Sequence, residues 1–596
     1  MLGIVGLVVA SCFSARAQET PPKGRDLLER PEGKRLEGTF LGNLADGFKF
    51  LPADGSTPVP IDGPADIALG GEGPGPTAGV PPVQVVLGPG QRISGQLVLL
   101  DELGIRLSDG PGGIPLTVER SGALELRQRP GEALVLIDGF ETLDPTRWLH
   151  VGEPRIEDEP RIAGSKSLRL AADGSAVTAK LAEPIGQGRL ELAYHDVPGV
   201  TKGAQWFVDL LFRGEGGPET IRAVVGWSEE SLAVQSTGGP VLAVQRLARK
   251  PGWHRLEIKF DPDAAELAVD GDSLAHGKGP TGPLVEVRLG TSLASGRDPL
   301  PKLAVHIDEF KLVRLASVVS ATEVDPDQDE VRLVEGDQVF GSIRRADPQG
   351  VSIEILNKPV VFSWAQVASL RFRRAASPSR EVVGLLCRLD WRSAPGIDPR
   401  DLDQAEGALV KADAASFTLD TPYAGRLVIP RALLRRIVVE GTGRRMVIDP
   451  TAHHLGNEVS KPTEPLDPPQ PEGDTLERRF VLKDAPANGK EATLVLDVVQ
   501  AAGEANGLDF AQLIRNGGLR TRVFLNGREF DYINRYITSQ NDRPERIRVP
   551  IPSGMLKPGE NRLKFVQSAK NDQDKELDDL GILGIAIEVA STPARP

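Results

Sequence analysis

The clearest pattern in the chain lies in Pro251-Gly252-Trp253-His254-Arg255-Leu256-Glu257-Ile258-Lys259-Phe260, where Leu256, Ile258 and Phe260 alternate with Arg255, Glu257 and Lys259. A period of two marks a strand with one buried and one wet face. Asp261-Pro262-Asp263 breaks it, Leu267 and Val269 resume it, and Asp270-Gly271 supplies a residue pair that tolerates the positive φ of a tight hairpin. The same punctuated alternation runs through most of the sequence. Glycine (65) and proline (49) are spread between short apolar runs, as in strands joined by turns. Only Asp509–Arg515 reads as a short helix. The pattern predicts an all-β protein, and 596 residues are too many for one core.

A glycine register divides part of the chain. Gly33, Gly38 and Gly47 have the same spacing as Gly90, Gly95 and Gly104, and as Gly336, Gly341 and Gly350. Asp101 and Asp347 each precede the last glycine by three residues. Similar apolar positions surround the glycines, giving small β units at 31–70, 82–130 and 330–374. A degenerate fourth unit spans 380–441, with Gly407 and Asp413 keeping the glycine-to-aspartate gap and an insertion at Ser393–Gln404. Short strands with glycines at sharp bends suit a small barrel. The units resemble Sm-like or SH3-like barrels. Leu419-Asp420-Thr421-Pro422-Tyr423-Ala424-Gly425-Arg426-Leu427 is also similar to a pattern of bacterial envelope proteins. If the second and third units are neighbours, residues 133–316 are an insertion between them.

Residues 133–316 open with Gly139-Phe140-Glu141 and Trp148, pass through Gly252-Trp253-His254-Arg255-Leu256-Glu257-Ile258 and Val269-Asp270-Gly271, and close on Ile307-Asp308-Glu309-Phe310. This order resembles the concanavalin A-like, or laminin-G-like, jelly roll. The resemblance implies a two-sheet sandwich, a fold that hosts lectins, glycosidases and inert spacers. Residues 476–591 contain Phe524-Leu525-Asn526-Gly527, a strong hairpin signal, and Leu556-Lys557-Pro558-Gly559-Glu560-Asn561-Arg562-Leu563. Together they resemble galactose-binding-like sandwiches. The expected architecture is therefore all-β and multidomain: small β-barrel units flanking a concanavalin A-like jelly roll, with a C-terminal β-sandwich.

Charge and leader then narrow the partners and the compartment. A net charge of −13 argues against nucleic acid and anionic membrane surfaces. The one basic cluster, Arg371-Phe372-Arg373-Arg374, reads as a solvated strand end. Residues 1–17 read as an export signal: Leu2–Ala10 is apolar, and Ala15-Arg16-Ala17 fits a small-x-small cleavage site. Val9-Ala10-Ser11-Cys12 also resembles a lipobox, which makes Cys12 a lipidation candidate. The expected localisation is extracytoplasmic, with no later run of the ~18–20 apolar residues that a spanning helix needs. Only Cys12 and Cys387 exist; Cys387 reads as a buried core thiol. Acidic and proline-rich linkers are expected at 317–329 and 451–475. Asp325, Asp327 and Asp329 lack the glycine and glutamate that would complete a calcium loop.

Catalytic and metal motifs are sparse. The paired carboxylates that jelly-roll glycosidases carry on one strand, Glu-x-Asp-x-(x)-Glu, are absent. No histidine pair has zinc spacing; His453-His454 reads as solvent-exposed, and Tyr194-His195-Asp196 is the one histidine–acid pair at a strand end. Sugar rings stack on aromatics, so the ligand-binding candidates are Trp206 and Trp227 in the jelly roll and Tyr532, Arg535 and Tyr536 beyond the Asn526-Gly527 turn. The expectation is an exported, non-catalytic protein that binds carbohydrate or a cell-surface protein, with no cofactor. The alternatives are an envelope scaffold assembled through its small barrels, and a glycan hydrolase with an unrecognised site.

Overall fold

The computed structural model describes residues 25–590 except 71–81, 109, 130, 163, 173, 197–203, 226–231, 240–241, 246, 294–299, 316–324, 326, 374–380, 394–401, 461–465, 485, 487–490, 540–542 and 572. The protein is all-β; among the described residues the one α-helix is Leu508–Arg515. Four segments share a strand order in which the first strand pairs with both the second and the last. Asp26–Glu29 pairs with Arg35–Asn43 and Ala65–Ala68. Val83–Gly88 pairs with Gln91–Gly95 and Glu125–Gln128. Asp329–Leu333 pairs with Gln338–Asp347 and Val367–Arg371. Glu381–Trp391 pairs with Asp403–Ala412 and Leu434–Asp449. The glycine register has a steric cause. Gly33, Gly90 and Gly336 turn the chain at φ of 81°, 68° and 106°. A Cβ on Gly38, Gly341 or Gly407 would lie 2.1–2.4 Å from the carbonyl oxygen of Leu51, Glu354 or Asp420 on the facing strand.

The units join through their last strands. Ala65–Ala68 of the first pairs with Arg436–Val439 of the fourth, and Glu125–Arg127 of the second with Ser369–Arg371 of the third. Each joint buries one ion pair in the same setting. Asp26 accepts the Phe40 amide at 2.8 Å and pairs with Arg431, which donates to the Phe40 carbonyl and lies 5.3 Å from the Phe417 ring centre. Asp329 accepts the Ile343 amide at 2.8 Å and pairs with Arg120 at 2.7 Å; Arg120 donates to the Ile343 carbonyl and lies 5.1 Å from the Phe372 ring centre. Asp329 is thus buried (2% exposed) in a core joint rather than part of a charged linker. In the basic cluster, Arg371 pairs with Asp467 and Phe372 is buried, so this strand end is not simply solvated.

Between the second and third units the chain forms a two-sheet sandwich. One sheet runs Leu149–Val151, Ala176–Ile185, Leu284–Leu293, Ala204–Gly214, Gly217–Val225, Ala233–Thr237. The facing sheet is built around Gly188–Asp196, Gly252–Phe260, Ala265–Val269 and Leu300–Leu315. The opening and closing motifs meet in its core: Trp148 packs on Phe140 at 5.6 Å and edge-on to Phe310 at 5.2 Å, and its indole donates to Asp138. Asp270 and Gly271 take positive φ of 53° and 88°, as the hairpin requires.

A second sandwich closes the chain. Thr475–Leu482, Gly559–Gln567, Thr521–Leu525 and Arg528–Tyr532 form one sheet. Glu545–Ile551, Ala492–Val499 and Leu580–Ala590 form the other, and Leu580–Ala590 continues onto the long strand Leu434–Asp449 of the fourth unit. The two sequence signals of this sandwich are one device: Asn526 of the hairpin turn donates to buried Asn561 at 2.9 Å. His453 and His454 are not solvent-exposed. They are 1% and 0% exposed, because His453–Leu455 is a strand paired with Leu580–Ile582. Cys387 is a fully buried thiol.

Candidate functional site

The outer face of the six-stranded sheet in the first sandwich carries three cross-strand rows, read directly from the pairing register. The first is Val151, Ala176, Gly290, Phe207, Val224, Ala233; none of its members is charged. The next is Leu149, Thr178, Arg288, Asp209, Arg222, Gln235. The third is Lys180, Glu286, Leu211, Thr220, Thr237. Side chains directly opposite each other in antiparallel strands share a face, so these rows lie on one side of the sheet; Ala176, Phe207, Val224 and Asp209 within them are 1–4% exposed, while Val151 and Leu149 at one end are 63% and 56% exposed.

The centre of this surface is preorganised. Arg222 donates to both oxygens of Asp209, at 2.5 and 2.7 Å, and its guanidinium lies 4.1 Å from the Phe207 ring centre. The Asp209 bond raises the Arg222 pKa, so the group stays charged. Arg288 also lies over the Phe207 ring, 5.5 Å from its centre. Arg288, Glu286 and Lys180 have no ion-pair partner among the described residues, which leaves one donor, one acceptor and a further cation open for a ligand. Asp209 and Glu286 stand diagonally on neighbouring strands, Asp209 opposite Arg288 and Glu286 opposite Leu211.

The five residues chosen from sequence fall in three places. Trp206 is on the inner face of the same sheet, 6% exposed and 4.7 Å from Tyr194, so its ring packs in the core and offers no face to a ligand. Trp227 lies outside the described residues, as does Cys12. Tyr532, Arg535 and Tyr536 do come together at the surface of the C-terminal sandwich. Tyr532 donates to Glu504 and Tyr536 to Asp531, each at 2.7 Å. Arg535 lies 5.8 and 5.5 Å from the two ring centres, and Arg520 covers Tyr532 at 4.5 Å. Both hydroxyls and part of the ring surface are therefore engaged within the protein. Burial and the carboxylate partners push both phenols above their usual pKa. Sequence reasoning missed Phe207, Asp209, Arg222 and Arg288. Trp206-Phe207-Val208-Asp209 reads as a strand, but only the second sheet decides which alternate set is core. Among the described residues no three His, Cys, Asp or Glu side chains are grouped to hold a metal ion.

No family model matches the sequence, and no curated protein matches it. Solved structures do. A cellulose-induced protein, Cip1, is 13% identical, with a TM-score of 0.25, over 30% of this chain and 96% of its own. The catalytic domain of an endo-1,3-β-glucanase (laminarinase) from Thermotoga petrophila RKU-1 is 12% identical, with a TM-score of 0.24, over 31% of this chain and 99% of its own. A glycoside hydrolase family 16 endo-glucanase from Bacteroides ovatus is 10% identical, with a TM-score of 0.24, over 30% and 100%. Each of these matches covers 30–31% of this chain.

The expectation of a chain that is not an enzyme is corrected here. The solved structures that match include glucan-cleaving enzymes: two laminarinase catalytic domains and a glycoside hydrolase family 16 endo-glucanase.

Proposed function

We propose that this chain recognises carbohydrate, and that the outer face of the six-stranded sheet is the recognition surface. The observation that carries the reading is the adjacency, on one side of the sheet, of exposed apolar Val151 and Leu149 and a polar row held in place by the buried Asp209–Arg222 pair. A sugar presents CH groups on one face and hydroxyls around its rim. The exposed Val151 and Leu149 at the end of these rows suit the CH groups, and Arg288, Glu286 and Gln235 suit the hydroxyls. Holding Arg222 flat against Phe207 removes rotamer freedom before a ligand arrives, which lowers the entropic cost of binding. The apolar leader at residues 2–10 and the Ala15-Arg16-Ala17 site support export, where such a partner would be met.

A second reading, glycan cleavage, is favoured by one observation. Asp209 and Glu286 share this face on neighbouring strands, with Glu286 free of ion pairs among the described residues. Two carboxylates across a bound sugar are what glycoside hydrolysis uses.

One experiment addresses both readings. The full chain and its Arg222→Ala and Glu286→Gln variants are tested on a glycan array, and reducing ends are then measured on any glycan that binds. Recognition at this face requires Arg222→Ala, which leaves buried Asp209 without its guanidinium partner, to weaken binding about tenfold. Cleavage requires Glu286→Gln to abolish reducing-end release while binding persists. Array binding that ignores both substitutions would remove this face from the argument.

A further inference from the structure

We propose a second binding site in the jelly roll, separate from the outer face: a cavity at the end of the sandwich that takes a small, uncharged, hydroxyl-bearing molecule the size of one sugar ring. The cavity has a volume of about 160 Å³ and is lined by Tyr194, Leu232, Leu247, Arg249, His254 and Asp270 among others. That is room for about five waters at ~30 Å³ each. It belongs to the stretch Tyr194-His195-Asp196, which the outer-face reading leaves unused. Tyr194 and Asp196 point inward from Gly188–Asp196, with His195 on the opposite face beside Trp253.

The walls are built and charge-neutral. Buried Asp196 takes two hydrogen bonds from Arg249, at 2.9 and 2.5 Å, and both side chains are almost wholly enclosed. His254 gives Nδ1 to Asp270 at 2.6 Å and Nε2 to the Lys250 carbonyl at 2.7 Å. Both partners are acceptors, so the ring carries both protons and forms an ion pair with Asp270. Asp270 is filled further by the Arg255 amide at 2.9 Å. At the mouth, Lys250 and Asp272 are exposed and of opposite sign. A charged ligand would meet walls already neutralised in pairs, and would lose its own hydration without a counter-charge.

One polar group in the wall is uncommitted. Tyr194 is 1% exposed, and its hydroxyl has no hydrogen-bond partner among the described residues. Tyr194 lines the cavity, so its hydroxyl can donate to a ligand oxygen there. Burial, with Asp196 and Asp270 nearby, keeps the phenol protonated, so it acts as a donor. Leu232, Leu247 and Val269 supply the apolar side that a ring's CH groups need.

The test uses saturation-transfer NMR on the full chain with methyl pyranosides, with glucuronate and glucosamine as charged counterparts. The expected result is saturation of at least one neutral glycoside, at least tenfold weaker binding of both charged sugars, and a loss of at least fivefold in Tyr194→Phe. That substitution removes only the hydroxyl. Lys259→Ala, at a solvent-exposed position of the facing sheet, leaves this binding unchanged. Competition by an oligosaccharide reduced at its end separates the sources: equal competition means the end of a glycan chain, and none means a free monosaccharide. The proposal is overturned if no neutral pyranoside binds, if the charged sugars bind as well, or if Tyr194→Phe binds like the parent. Loss of array binding in Arg222→Ala alone would bear on the outer face and leave the cavity standing.

Discussion

At the scale of single residues, His254 couples the cavity wall to pH. Its hydrogen bond to Asp270 raises its pKa above the ordinary 6.5, against the opposing effect of burial. A raised folded-state pKa means that the folded form holds its proton more tightly than the unfolded chain does. The contribution to stability is therefore complete below about pH 6.5 and fades as pH rises through the folded value. The groups that face the ring are Asp270, Asp196, His195, Tyr194, Lys250 and Arg249. Of these, His195 has its pKa lowered by burial, so it acts in the opposite direction. The prediction is that the urea midpoint of the jelly roll falls between pH 6 and pH 8.5, and that Asp270→Asn flattens most of that slope. A slope unchanged in Asp270→Asn would place the pH dependence elsewhere. None of this was legible beforehand. The sequence shows His254 as one polar residue in an alternating strand, and its acceptors, the Lys250 carbonyl and the Asp270 side chain, are set by the path of the loop and the hairpin.

At the scale of elements, the joints between the small units are the instructive case. The glycine register identified equivalent positions, and its cause is local: positive φ at the turn and a carbonyl within 2.1–2.4 Å of a would-be Cβ. Local causes leave local marks. The partner of each unit leaves no such mark, because the last strands pair across hundreds of residues, first with fourth and second with third. The neighbouring of units two and three followed from the insertion argument; the pairing of one with four did not. The Asp26–Arg431 and Asp329–Arg120 pairs also escaped notice, since each half reads as an ordinary surface charge. Both aspartates precede their accepted amide, Phe40 or Ile343, by the same interval. Removing one partner leaves a buried charge uncompensated, at a cost of about 3–5 kcal/mol. Arg120→Met should therefore lower the urea midpoint sharply, and the double variant Arg120→Met/Asp329→Leu should recover much of the loss. Chemical denaturation of the three proteins decides this; a double variant no better than the single would mean that the pair is a bystander to the joint.

At the scale of the whole molecule, the question is which parts move together. Composition and linker-like stretches divided the chain into beads, and the 451–475 stretch looked like a spacer. The structure replaces that spacer with contact. Arg445, in the long strand of the fourth unit, pairs with Glu406 at 2.8 Å and also with Glu440 and Glu588, the last from the C-terminal strand. Arg546 of the sandwich reaches Glu406 at 2.8 Å, Glu440 at 2.9 Å and Asp497 at 2.8 Å, and Arg548 spans Glu440 and Glu588. Burial alone would raise the pKa of Glu440, but the three guanidinium groups outweigh it and hold the carboxyl well below its usual range. A depressed folded-state pKa contributes stability that is present above the unfolded value, near 4.3, and is lost as pH falls through the folded value. Two independently folding beads would melt in two calorimetric steps. A shared, buried network with a continuous strand pairing instead couples the fourth unit to the C-terminal sandwich. The two should unfold in one transition that moves to lower temperature below about pH 4, and Arg445→Met should shift that same transition without moving the one belonging to the jelly roll. Scanning calorimetry on the full chain, read against Arg445→Met, checks this directly. If the sandwich melts apart from the fourth unit in the parent protein, the network is decoration on two independent domains and the bead picture stands.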